Sequence, residues 1–119
     1  EGRLFFVTDA MSLVGTDLPS FTLNGRTVYR TKGGYCSKLT LDDGTLAGSD
    51  VDLASTIRYG VNVLELPLAE ALRMATSYPA RFLRLGDRGH LTPGTRADLV
   101  HIDDDIEVTQ TWISGQPSA

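Results

Sequence analysis

The chain has 119 residues, 41% hydrophobic and 22% charged, an ordinary globular balance well outside the disordered range. Its net charge of -4 excludes the expectation of a nucleic acid or an anionic membrane surface as partner, since both call for a basic face. No apolar run approaches the roughly 18 residues that span a bilayer, and no charged segment leads into an apolar one, so a cytoplasmic chain is expected.

The sequence opens Glu1-Gly2-Arg3 without an initiator Met and runs at once into Leu4-Phe5-Phe6-Val7-Thr8, the start expected of a chain cut just before a strand. That unalternating apolar run suits a strand buried on both faces of a parallel sheet, with Asp9 where the strand ends. Phe21 to Arg30 reads as two extended segments around Asn24-Gly25, a pair that tolerates positive φ and suits a type I′ hairpin. Asp43-Gly44 marks a second turn after Leu39-Thr40-Leu41.

From Ser49 the pattern changes. Ala54, Ile57, Val61 and Leu64 recur at helical spacing, and Ser49 with Asp52 has the spacing of a capping box. Leu68, Ala71, Leu72 and Ala75 define a second helix opened by Pro67, and Pro79 starts a short third helix ending near Gly86. Thr92-Pro93-Gly94 then predicts a turn, followed by strands over 97–102 and 108–113, the second ended by Gly115. A boundary near Gly86 separates residues 1–86 from 87–119. There is no internal repeat.

A carboxylate directly after a buried strand is costly unless partners compensate its desolvation, and such positions on the C-terminal face of a barrel collect catalytic groups. Asp9 can equally cap a loop by accepting backbone N–H bonds. On the residues alone both readings stand. His90 and His101 show neither His-x-His nor His-Glu-x-x-His spacing, so they are expected to be surface or strand residues rather than metal ligands. Cys36, the one cysteine, permits no internal disulfide and no thiolate cluster, and a structural role is expected for it. Trp112, Tyr29, Tyr35, Tyr59 and Tyr78 are scattered over different elements, which favours core packing over a sugar-stacking platform.

Val7-Thr8-Asp9-Ala10-Met11, Gly44-Thr45-Leu46-Ala47-Gly48-Ser49 and Leu72-Arg73-Met74-Ala75-Thr76-Ser77-Tyr78-Pro79-Ala80 closely resemble the N-acetylglucosamine-6-phosphate deacetylases. Gly89 to Val100, with Pro93-Gly94-Thr95-Arg96-Ala97-Asp98-Leu99 at its centre, resembles the broader C-terminal signature of amidohydrolases. The resemblance runs in register over nearly the whole chain. It implies an α/β fold: residues 1–86 as the last strand, inserted hairpin and terminal helices of a (β/α)8 barrel, and 87–119 as closing strands of a small β-sandwich domain.

The same resemblance implies metal-dependent hydrolysis of the N-acetyl group of N-acetylglucosamine 6-phosphate, with Asp9 as the base that takes a proton from the attacking water and returns it to the departing amine. It assigns Leu46, Ala47 and Gly48 to a loop whose main chain approaches the sugar phosphate, as small residues permit. That segment can also be a plain strand-to-helix turn. It is no Walker A loop, because Lys and Ser/Thr do not follow the second glycine. The divalent metal, Zn or Fe, has its ligands on upstream strands and none in this chain; the intact enzyme is expected to be a homodimer. The isolated chain is expected to be inactive and, with unpaired strand edges, to self-associate. Competing readings are a dihydroorotase or N-acyl-amino-acid deacylase, which share the Pro-Gly-x-x-Ala-Asp-Leu signature, and a non-catalytic scaffold or interaction domain.

Overall fold

Asn24 and Gly25 both take positive φ, 50° and 78°, the backbone that a type I′ turn requires. The turn joins β1 (Ser20–Leu23) to β2 (Arg26–Thr31), with Leu23 opposite Arg26 and Ser20 opposite Tyr29. β3 (Lys38–Leu41) and β4 (Leu46–Ser49) follow across the Asp43-Gly44 turn, giving an antiparallel sheet in the order β1-β2-β3-β4. Alternation along β2 and β3 buries Val28 and Leu39, and Leu13 from the preceding loop joins them, all three at 0% exposure. Met11, Phe21, Leu41 and Ala47 pack around this core. The structure is a computed structural model that describes residues 4–33 and 36–118; the expectations attached to Glu1-Gly2-Arg3 and to Tyr35 lie outside the described residues.

By packing, the chain divides into two units. Thr8–Asp52 forms one, and the described residues before Thr8 together with those from Leu53 onward form the other. Gly86, the expected boundary between modules, lies inside the second unit.

In the second unit the helical periodicity is met by α1 (Leu53–Asn62), α2 (Leu68–Ala75), for which Pro67 stands at the N-cap, and α3 (Ser77–Phe82). Ile57 and Ala71 are buried with Ile106, and Phe6, Val61, Leu72, Ala75 and Ile102 surround them. Between them these residues use the apolar face of each longer helix. α3 ends before Gly86: the Leu85 N–H donates to Ala80 O at 2.8 Å while Arg84 takes φ 59°, a six-to-one closure with arginine where glycine is usual. Thr92-Pro93-Gly94 turns as predicted, with Gly94 at φ 89° and the Thr95 N–H donating to Thr92 O at 3.2 Å. β5 (Leu99–Ile102), β6 (Val108–Ile113) and β7 (Gln116–Pro117) then form one antiparallel layer in chain order. Arg58 of α1 ties the β5–β6 connection down, donating to Ile106 O at 2.8 Å and pairing with Glu107 at 2.9 Å.

Two expectations are corrected. Residues 4–8 are not a strand: Leu4 and Val7 are 73% and 74% exposed, and the Phe6 N–H donates to Met74 O at 3.0 Å. A strand buried on both faces needs parallel neighbours on its edges, and the two sheets described are antiparallel, so Phe6 turns to the helical core instead. The described sheets are two antiparallel layers, β1-β2-β3-β4 and β5-β6-β7, which by themselves show neither the barrel nor the sandwich. The capping box between Ser49 and Asp52 is absent as well, because Ser49 ends β4 and α1 begins only at Leu53. Of the aromatic residues, Tyr78 is buried at 8% exposure, whereas Tyr29 and Tyr59 are 45% and 40% exposed and Trp112 is half-buried.

Candidate functional site

Asp9 adopts φ 50°, a left-handed conformation that asparagine and aspartate tolerate better than other non-glycine residues. It is held there through its main chain. The Ser49 N–H donates to Asp9 O and the Met11 N–H donates to Ser49 O, both at 3.1 Å, so Ala10 and Ser49 form a short parallel bridge on the outer edge of β4. Parallel pairing thus does occur, two residues beyond the run that was expected to supply it. The Asp9 side chain is exposed rather than buried, and its carboxylate has no hydrogen bond or ion pair among the described residues.

Leu46, Ala47 and Gly48 lie in β4, an edge strand rather than a loop. Leu39 faces Gly48 and Thr40 faces Leu46, which leaves Ala47 as the extra residue of a bulge. Bulges bend a strand and re-aim its groups, and they are common beside active sites. A Cβ on Gly48 would lie 2.6 Å from Met11 Cγ and 3.4 Å from Asp9 O, so glycine is what lets the two backbones approach. Asp9 and the 46–48 segment, singled out separately in the sequence, are therefore neighbours.

Sequence reasoning missed what braces this neighbourhood. Arg30 of β2 donates from Nη1 to Thr16 O at 2.7 Å and Leu18 O at 3.1 Å, and from Nη2 to Leu13 O and to Asp50 Oδ1 at 3.0 Å. Its Nε lies 2.7 Å from Asp50 Oδ2 as an ion-pair contact outside hydrogen-bond angles. The side chains of Arg30 and Asp50 are only 17% and 10% exposed. An arginine at an alternating position of a hairpin strand carries no sequence signal of such a role.

His101 sits exposed on β5 with Nδ1 against Thr109 Oγ1. His90 borders a cavity of about 400 Å³ beside Arg81, Arg84 and Arg88, in the helical unit. There Arg88 is paired with Asp87 at 2.9 Å and lies 4.0 Å from Asp98. Cys36 is exposed and fills no core position. Among the described residues no group of three or more His, Cys, Asp or Glu could hold a metal. No helix of the described residues is long and apolar enough to cross a membrane.

Comparison with known proteins gives concordant results. The sequence profile described as Amidohydrolase family matches residues 31–118. The chain is 41% identical over 116 residues to an N-acetylgalactosamine-6-phosphate deacetylase of Shewanella sp. (strain ANA-3), covering 96% of this chain and 28% of that protein. The crystal structure of an N-acetylglucosamine-6-phosphate deacetylase from Pasteurella multocida superposes with a TM-score of 0.88 at 32% identity, covering 99% of this chain and 30% of that one. The Mycobacterium smegmatis enzyme, solved in complex with N-acetyl-D-glucosamine-6-phosphate, superposes at 0.80 with 31% identity, over 98% of this chain and 30% of its own. The chain thus spans about three tenths of the length of the relatives it matches. With the profile match extending over 31–118, the chain belongs to the amidohydrolase family.

Proposed function

We propose that this chain is the C-terminal segment of an N-acetylglucosamine-6-phosphate deacetylase and that Asp9 is its proton-transferring group. The observation that carries the reading is Asp9 itself: a carboxylate left exposed and, among the described residues, unpaired, on a left-handed residue pinned through its main chain to Ser49 and lying against Gly48. A non-glycine residue held in a sparsely populated conformation is a recognised mark of a functional position. Asp9 would accept the proton of the water that attacks the acetyl carbon. It would then return that proton to the nitrogen as the C–N bond breaks, releasing acetate and glucosamine 6-phosphate.

Leu46, Ala47 and Gly48 would meet the sugar phosphate with main-chain groups, which suits a bulged edge strand whose outer side carries a single bridge. The described residues of this chain do not fit a metal centre, so no step is drawn through one. The Zn or Fe expected of the intact enzyme would rest on residues upstream, and the barrel, a module boundary near Gly86, a cytoplasmic homodimer and inactivity of the isolated chain belong to the same reading. Self-association of the isolated chain is supported by the exposure of Leu4, Val7, Phe82 and Leu83.

In the full-length enzyme, Asp9→Asn is expected to lower kcat about 10²- to 10⁴-fold with metal content unchanged. Retention of wild-type turnover would sink the assignment. A second reading, the 4-epimer N-acetylgalactosamine 6-phosphate as substrate, is favoured by the name of the 41%-identical relative. Acetate release from both sugar phosphates, dihydroorotate and an N-acyl amino acid separates these alternatives, and absence of binding to any of them would favour a scaffold.

A further inference from the structure

The four hydrogen bonds of Arg30 form part of a closed circuit. Three go to carbonyls of Leu13, Thr16 and Leu18, in the strap that leaves Asp9; the fourth goes to Asp50, whose neighbour Ser49 bonds Asp9 O and the Met11 N–H. With Nε against Asp50 Oδ2 at 2.7 Å, every N–H of the guanidinium faces an acceptor, and both partners are largely withdrawn from water. Four of the five donors make hydrogen bonds and the fifth, Nε, lies in the ion-pair contact, more than surface solvation requires. A planar fork reaching three carbonyls and both oxygens of one carboxylate is a task lysine cannot copy, because its ammonium offers three donors at one point.

We propose that Arg30 and Asp50 are a positioning pair for the reaction: they set where the Asp9 carboxylate stands relative to the main chain of Leu46, Ala47 and Gly48. This rests on the reading of Asp9 given above. The strap is anchored by Leu13 at 0% exposure, with Met11 packed beside it, and it reaches β4 through the Ala10–Ser49 bridge. Leu13 holds the strap onto the sheet by packing, which is non-directional. Arg30 supplies the direction, since it ties three carbonyls of the strap, those of Leu13, Thr16 and Leu18, to the residue that follows the bridge. Removing the fork leaves the bridge with freedom to slide, and Asp9 moves with it.

The experiment is made in the full-length enzyme with Arg30→Lys, Asp50→Asn and Asp9→Asn, measuring kcat, KM, the pH profile of kcat and the hydrogen exchange of the strap. A misplacement on the order of 1 Å costs up to about 100-fold in rate, so Arg30→Lys is expected to lower kcat about 10- to 100-fold, with KM within about twofold. The acid limb of its pH profile should move by about half a unit or more, and exchange over residues 10–18 should quicken. Asp50→Asn, which keeps an acceptor, should fall between wild type and Arg30→Lys. A fall in kcat with an unmoved pH profile, as a mere loss of folded enzyme would give, overturns the proposal, and so does a wild-type kcat. If Arg30→Lys does not fold, the same criteria apply to Asp50→Asn. Wild-type turnover by Asp9→Asn would instead overturn the reading of Asp9, so the two failures are distinguishable.

Discussion

Gly48→Ala tests the close approach on which the site depends. The new Cβ would stand 2.6 Å from Met11 Cγ, 2.8 Å from Met11 Sδ and 3.4 Å from Asp9 O, on a residue whose φ is 153°. Overfilling a packed position costs about 1–3 kcal/mol, and the adaptable Met11 side chain places this case in the lower half. The backbone conformation, one that residues with a Cβ rarely adopt, adds about 1–3 kcal/mol, so the sum is roughly 2–5 kcal/mol. Urea unfolding of the full-length enzyme measures it. A double-mutant cycle with Met11→Ala then separates the two parts: removing Met11 should recover about 1 kcal/mol of contact energy and leave the backbone part untouched. Because the clash presses on the strap that carries Asp9, kcat should fall with stability. An unchanged unfolding midpoint together with a kcat within about twofold of wild type would refute the packing of Met11 over Gly48.

Two further outcomes follow from the sheet unit. Leu39→Ala empties a fully buried position in β3 and should cost about 2–5 kcal/mol, read as a lowered denaturant midpoint; a loss below about 0.5 kcal/mol would mean that Leu13, Val28 and Leu39 are not its core. Asp43 accepts hydrogen bonds from Thr45 and Arg26, which hold its carboxyl down to about 2 from the ordinary 3.8. A carboxylate lowered on folding lends stability that is complete above the ordinary value, so the turn should loosen as pH falls from 3.8 through about 2. The Thr45 amide shift should titrate over that window and should cease to do so in Asp43→Asn.

The elements legible in the sequence are those whose cause is local. Asn24-Gly25, Asp43-Gly44 and Thr92-Pro93-Gly94 each need a particular backbone that few residues supply, and all three turn. The apolar spacing of α1 and α2 is likewise a property of each segment by itself. What misled was the run at residues 4–8, where composition describes a strand but pairing depends on neighbours that no local pattern contains. Asp9 and Gly48 could each be singled out, yet their contact is set by the bulge at Ala47 and the bridge at Ala10, both long-range events. Arg30 was invisible for the same reason: its acceptors lie 12 to 20 residues away.

Ser49 shows how one such event displaces a local motif. A capping box would need its N–H free to donate to the Asp52 carboxylate and its hydroxyl turned to accept from an N–H of the first helical turn. That N–H is instead given to Asp9 O, and the hydroxyl is buried without a hydrogen-bond partner. A buried hydroxyl left unmatched costs on the order of 1–3 kcal/mol, comparable with what a good cap contributes. The fold therefore leaves the Ser49 hydroxyl unmatched while its N–H holds the main chain of Asp9 against β4. A cost of that size is hard to account for if Asp9 merely closes a loop, since its own carboxylate satisfies no donor among the described residues. It is intelligible if the left-handed turn at Asp9 must be kept in one place. The same logic makes Arg30, rather than any cap, the element that directs the strap.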